Sequence, residues 1–100
     1  MQHPVNTEIK KITLRGDLSS RHLEEIKEKL LMELHEQQQL HIDITNVTSL
    51  NLSTLQWIYA FGCAANSEGK RVSIELDLPA KFDLLVQASG IKEMFNRFGA

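Results

Sequence analysis

One cysteine, Cys63, stands in the 100 residues. An intrachain disulfide is therefore impossible, and a reducing compartment fits the composition. Two prolines and five glycines are too few to build a linker or a low-complexity tract. None of the glycines forms part of a Gly-x-Gly-x-x-Gly turn, a P-loop or a nucleophile elbow, so the sequence carries no phosphate cradle. Charge of one sign is also missing: the net charge is -2, and lysines and arginines are scattered among acids rather than gathered in a stripe. That removes the electrostatic case for nucleic acid. No apolar run approaches the roughly 20 residues that span a bilayer, and "MQHPVNTEIKK" at the N-terminus has no stretch of signal-peptide length. These absences together point to a cytoplasmic chain with no direct membrane insertion. Asn46-Val47-Thr48 and Asn51-Leu52-Ser53 match the glycosylation pattern by chance in that setting.

What is present is an ordinary globular composition, 42% hydrophobic and 24% charged. A chain of this length makes one domain, residues 1–100, with a single core. "IKKITLRG" alternates as a strand, with Ile12 and Leu14 on one side and Lys11 and Thr13 on the other, and Gly16-Asp17 ends it. "SSRHLEEIKEKLLMELHEQQ" reads as a helix with Ser20 as N-cap and an apolar stripe of Leu23, Ile26, Leu30, Leu31 and Leu34. "LHIDIT" is a second strand, followed by a loop from Asn46 to about Leu52. A helix then runs from Ser53 to about Ser67. "RVSIELDL" is a third strand, "PAKFDLLVQAS" a helix opened by Pro79 and ended by Gly90, and "IKEMFNRF" a last short helix.

The order β-α-β-α-β-α-α, with a short extra strand near Val5, describes an α/β fold with parallel crossovers. The strict alternation of the strands adds a further condition. A parallel sheet covered on both faces shows near-continuous apolar runs. Here Thr13, His41, Asp43, Ser73, Glu75 and Asp77 mark one face as polar, so the helices lie mainly on the other.

Chemistry-bearing residues are few. The histidines His3, His22, His35 and His41 stand at no recognised ligand spacing, which points to no bound metal. His41 and Asp43 share a strand face and read as solvated polar residues, with a weak metal or acid-base pair as the alternative. Cys63 lacks a Cys-x-x-Cys partner and reads as a half-buried helical thiol. No catalytic constellation or cofactor motif is visible, so an enzyme is not expected.

Ser53 is the residue with two readings. "Ser53-Thr54-Leu55-Gln56" fits a capping box, with the hydroxyl on the amides of Leu55 or Gln56, a bond worth about 1 kcal/mol. The same helix end favours a phosphate, through its free N–H groups and the positive end of its dipole. Trp57 lies one turn on, beside Ala60 and Ala64, and either packs against the neighbouring helix or suits a partner contact, while Leu55, Ile58, Gly62 and Ala65 form the core face.

Three segments carry a family resemblance over about Ile9 to Phe98: "ITLRGDLSS", "LHIDITNVTSLNLSTLQ" and "EGKRVSIE…PAKFDLLVQASGIKEMF". The chain resembles the STAS domains, the family that includes the bacterial anti-sigma factor antagonists. The resemblance implies a central, mostly parallel (mixed) sheet of four to five strands with about four helices mainly on one face. The family's Asp-Ser-Ser-Gly-Leu signature falls on Asn51, Leu52, Ser53 and Thr54, with Ser53 at the serine that partner kinases phosphorylate. Asn51 stands where the signature has aspartate and Thr54 where it has glycine. The implied function is a non-enzymatic protein-interaction module. It would bind an anti-sigma factor with kinase activity through Asn51, Ser53, Thr54 and Trp57, with Ser53 as its switch in transcriptional regulation. "TLQWIYAFG" also resembles a subgroup found near chemotaxis systems and in accessory subunits of lipid-transport ATPases, which implies a partner without a phosphoswitch. A nucleotide or small-molecule binder using the same loop is the third possibility.

Overall fold

The computed structural model describes residues 9–98. The short strand expected near Val5 lies outside them. The elements are β1 (Lys10–Leu18), α1 (Leu23–Glu36), β2 (Gln39–Leu50), α2 (Leu52–Ser67), β3 (Arg71–Leu76), α3 (Asp83–Ser89) and α4 (Ile91–Phe95). Short 3-10 turns, Ser20–His22 and Ala80–Phe82, lead into α1 and α3.

The strands form one parallel sheet in the order β1-β2-β3. Four to five strands are expected from the family resemblance; among the described residues there are three. Each β-α-β unit steps in the same direction along the sheet. Right-handed crossovers therefore put α1 and α2 on the same face. The other face carries two cross-strand rows, Lys11–His41–Ser73 and Thr13–Asp43–Glu75. Thr13 and Glu75 are exposed, Asp43 and Ser73 half-buried, so this face is the more open one, as the alternation requires.

β2 is longer than its alternation suggests. The segment expected as a loop from Asn46 continues the strand to Leu50, paired with β1 through Gly16↔Val47 and Leu18↔Leu50. Two register shifts, between Leu14 and Gly16 and between Gly16 and Asp17, insert extra residues on the β2 side. Asn46 takes a left-handed φ of 50° there. Bulges break the period of two while keeping the pairing, so Val47 is buried although the pattern around it reads as irregular. For the same reason β1 runs past Gly16-Asp17 to Leu18.

The core lies between the sheet and its helices. Leu30, Ile42, Ile44, Leu55 and Ile58 are completely inaccessible. Along α1, Ile26 and Leu30 are buried, with Leu34 packed at the margin. Leu31, expected in the stripe, is 52% exposed instead. At 100° per residue it stands about 80° round the helix from Leu23, at the rim of the apolar arc. Gly90 joins α3 to α4 with a φ of 70°, a left-handed turn that any Cβ would strain. That turn lays Ile91, Phe95 and Phe98 into the core. Tyr59 of α2 meets the rings of Phe95 and Phe98 edge-on at 5.9 and 5.6 Å. Its hydroxyl accepts a bond from Arg97 Nη1 at 2.6 Å. The C-terminal helix is thus held to α2 by three aromatic rings and one hydrogen bond.

Candidate functional site

The carboxyl ends of parallel strands are where open α/β sheets carry their functional surface. Here that edge gathers the junctions after β1, β2 and β3, and two side-chain bonds tie them together. Asn51 Oδ1 accepts from the backbone N–H of Ser20 at 2.6 Å, joining the start of α2 to the start of α1. Lys81 Nζ donates to the carbonyl of Thr48 at 2.8 Å, joining the segment after β3 to the end of β2. Beside them Asp17 accepts from Ser19 N at 2.9 Å. Hydrogen bonding from Ser19, with His22 nearby, holds the Asp17 carboxyl below its ordinary range.

Neither expected serine cap is formed. The N-cap of α2 is Asn51, extended at φ -113° and ψ 144°, and its carbonyl accepts from Thr54 N at 3.1 Å. The helix starts at Leu52 because that side chain packs against the core, which draws Ser53 inside the first turn. Ser53 is exposed, and its hydroxyl makes no hydrogen bond among the described residues. Ser20 fails as a cap in the same way: Ser19 occupies the N-cap position of the 3-10 turn, with no side-chain bond. Ser53→Ala is accordingly expected to change stability by no more than about 0.5 kcal/mol, as at an ordinary surface position. A loss near 1 kcal/mol in urea unfolding would restore the cap.

Trp57 is half-buried, and its contacts are within the chain. Its ring stacks on Phe61 at 5.4 Å, and Lys27 Nζ of α1 lies 5.9 Å from its centroid. Ala60 and Ala64 are exposed along the same side of α2, while Leu55, Ile58, Gly62 and Ala65 are buried. The division of α2 into a core face and an outer face is therefore the one its sequence predicts. The outer face offers an aromatic edge beside two methyl-sized side chains, a surface against which another backbone can approach closely.

Thr54 is different. It is 0% exposed, backbone included, so it offers a partner no surface and the contact role expected for it is not open to it; its Oγ1 is buried without a hydrogen-bond partner among the described residues. Cys63 is half-buried in α2, as expected. Of the histidines, His22 lies 3.3 Å from Asp17, His35 is exposed, and His3 lies outside the described residues. His41 sits on the open sheet face away from this edge. Among the described residues no helix is long and apolar enough to cross a membrane.

Residues 5–96 match the family model described as "Mlab, STAS domain". The chain belongs to the STAS family. No match was found among curated proteins or among solved structures. The family places the chain with regulatory and protein-interaction modules, a group of binding domains rather than enzymes.

Within this STAS domain the substituted signature has two physical consequences. An aspartate at position 51 would set a charge beside Ser53; the neutral carboxamide of Asn51 is engaged by Ser20 N instead. A glycine at position 54 would bury no polar atom; Thr54 buries a hydroxyl that finds no partner. An orphaned buried donor costs about 1–3 kcal/mol, and replacing it with a methyl of the same shape recovers much of that. Thr54→Val is expected to stabilise the domain by about 1 kcal/mol, read as a higher urea midpoint at unchanged m-value. A destabilised valine variant would mean the hydroxyl is bonded in solution.

What the sequence alone misses is the company of His41 and Asp43. Both are visible as one strand face, but Ser73 and Glu75 join them only through the β2–β3 register. The signal was in the alternation of "LHIDIT" and "RVSIEL"; the relative offset of the two strands was not.

Proposed function

We propose that this STAS domain is a non-enzymatic docking module that binds one partner protein through the outer face of α2. The observation that carries the reading is the exposed line of Ala60 and Ala64 continuing from half-buried Trp57. Small exposed residues beside a fixed aromatic ring admit close approach and give an anchor.

The geometry favours a constitutive contact over a phosphoswitch. The partner class that fits is an ATPase of a lipid transporter, with this chain as accessory subunit, in line with the resemblance of "TLQWIYAFG" to that subgroup. The reason is local: no carboxylate flanks Ser53, and the Asn51 side chain is spent on Ser20. The second reading is an anti-sigma factor antagonist switched at Ser53 in transcriptional regulation. It is favoured by one observation, the exposed and unbonded Ser53 side chain in the first turn of a 16-residue helix. A phosphate there would add about -1.5 to -2 charges to the docking face.

The two readings separate in one binding panel. Wild type, Ser53→Ala and Ser53→Asp are titrated against the transporter ATPase and against the anti-sigma kinase encoded nearest the gene. Aspartate near a helix N-terminus is favourable, so all three variants stay folded. The constitutive reading expects the ATPase to bind all three with affinities within about threefold, well under the tenfold that 1.4 kcal/mol produces. A kinase that binds wild type, labels Ser53 and releases the aspartate variant would replace it with the switch.

A further inference from the structure

We propose that the open sheet face binds one divalent transition-metal ion, with Zn²⁺ as its probe, through His41, Asp43 and Glu75. One donor atom from each of these side chains lies within 4.8 Å of the others. They come from neighbouring rungs of two parallel strands: His41 faces Ser73, and Asp43 faces Glu75. The spacing of histidines along the chain points to no metal, because the third ligand, Glu75, and the supporting Ser73 are brought in from β3 by the register alone.

Three features favour an ion. The first is the donor set. One imidazole nitrogen and two carboxylates suit Zn²⁺ and its neighbours, whereas Mg²⁺ and Ca²⁺ prefer oxygen alone. Three protein donors also leave a position for water or for a group from another molecule. The second is the support of the histidine. His41 Nδ1 lies 2.7 Å from Ser73 Oγ, and Nε2 lies 2.8 Å from Asp43 Oδ1. A hydroxyl both donates and accepts. Ser73 can therefore hold the ring in the tautomer that donates from Nδ1, leaving the Nε2 lone pair for a metal without moving the ring. Ligating histidines are oriented by such a bond from the other nitrogen. At about 2.0–2.2 Å from an ion, tetrahedral donors stand roughly 3.3 Å apart. The His41–Asp43 contact has only to open by about half an ångström to admit one.

The third feature is charge. Asp43 and Glu75 are directly paired across β2 and β3, an arrangement that destabilises a sheet when the charges are alike. Asp43, Glu75 and Asp77 border a shallow depression of about 240 Å³ that no basic side chain lines. Among the described residues His41 is the only ionic partner of Asp43, and Glu75 has none. A bound cation cancels that repulsion and staples β2 to β3.

The test uses the whole chain, stripped with a chelator and titrated with Zn²⁺ and then Co²⁺. The expected result is saturation at one equivalent, a raised melting temperature, visible Co²⁺ absorption and a ring ¹⁵N shift at His41. His41→Ala, Asp43→Asn and Glu75→Gln should each weaken binding. Ser73→Ala should weaken it about tenfold through the ring orientation. Absence of saturable binding in the wild type overturns the proposal. So does unchanged binding in a folded His41→Ala/Asp43→Asn variant. If that variant fails to fold, the wild-type spectrum decides: a zinc shift at His22 or His35 rather than His41 sinks the site.

Discussion

Gly62→Val is expected to destabilise the domain by about 3 kcal/mol, at the upper end of the usual cost of overpacking a core. A Cβ at Gly62 would sit 2.8 and 2.9 Å from two ring atoms of Phe98 and 3.2 Å from Cδ1 of Ile74. The first two separations are below what real side chains tolerate. The ring cannot swing aside freely, because Phe98 is buried and packs against Tyr59 and Phe95. Alanine already carries the clashing atom, but it also gains about 1 kcal/mol of helix propensity over glycine. Gly62→Ala should therefore cost less, near 1 kcal/mol, and valine more, because two further methyls enter the same space. Urea unfolding of both variants checks the ranking. The cause is checked by coupling: in a Phe98→Leu background the added cost of Gly62→Ala should fall sharply, since contacting sites are non-additive. Additive costs would place the strain elsewhere.

Trp57→Ala is expected to weaken partner binding by about 30-fold or more, a loss on the scale of an interface hot spot. The ring is half-buried, and its stack on Phe61 and the nearby Lys27 amine also fix the space between α1 and α2. Its removal lowers stability too, so a binding loss by itself is ambiguous. Ala60→Arg resolves this. Ala60 is exposed on the outer face, so a long side chain there leaves the core intact while it blocks close approach. Calorimetric titration against the proposed transporter ATPase should show both variants losing affinity, with only Trp57→Ala melting earlier. An Ala60→Arg variant that binds as wild type would move the docking surface off α2.

Both expectations depend on how α2 starts and which face it buries, and the two were not equally visible. The apolar positions of α2 repeat at helical spacing, so Leu55, Ile58 and Ala65 had to share a buried side whatever lay beneath them. The alternation in "ITL", "HIDI" and "VSIEL" likewise fixed which strand faces are polar, because the period of two leaves no freedom. Periodicity is a local property, and it survives any arrangement of the elements.

The start of α2 is not local. Ser53 has the chemistry of a cap, yet the helix begins at Leu52 because that side chain finds the core and because Asn51 is bonded to Ser20 in a distant segment. β2 continues through Asn46–Leu50 because β1 is there to pair with it across two bulges, which no alternation within either strand could announce. His41 and Asp43 could be placed on one face from the sequence, but Ser73 and Glu75 reach them only through the β2–β3 register. The sequence by itself determined the elements, their faces and the STAS family they compose. Tertiary structure decided where the elements begin and which side chains from different strands meet, because both depend on partners supplied from elsewhere in the chain.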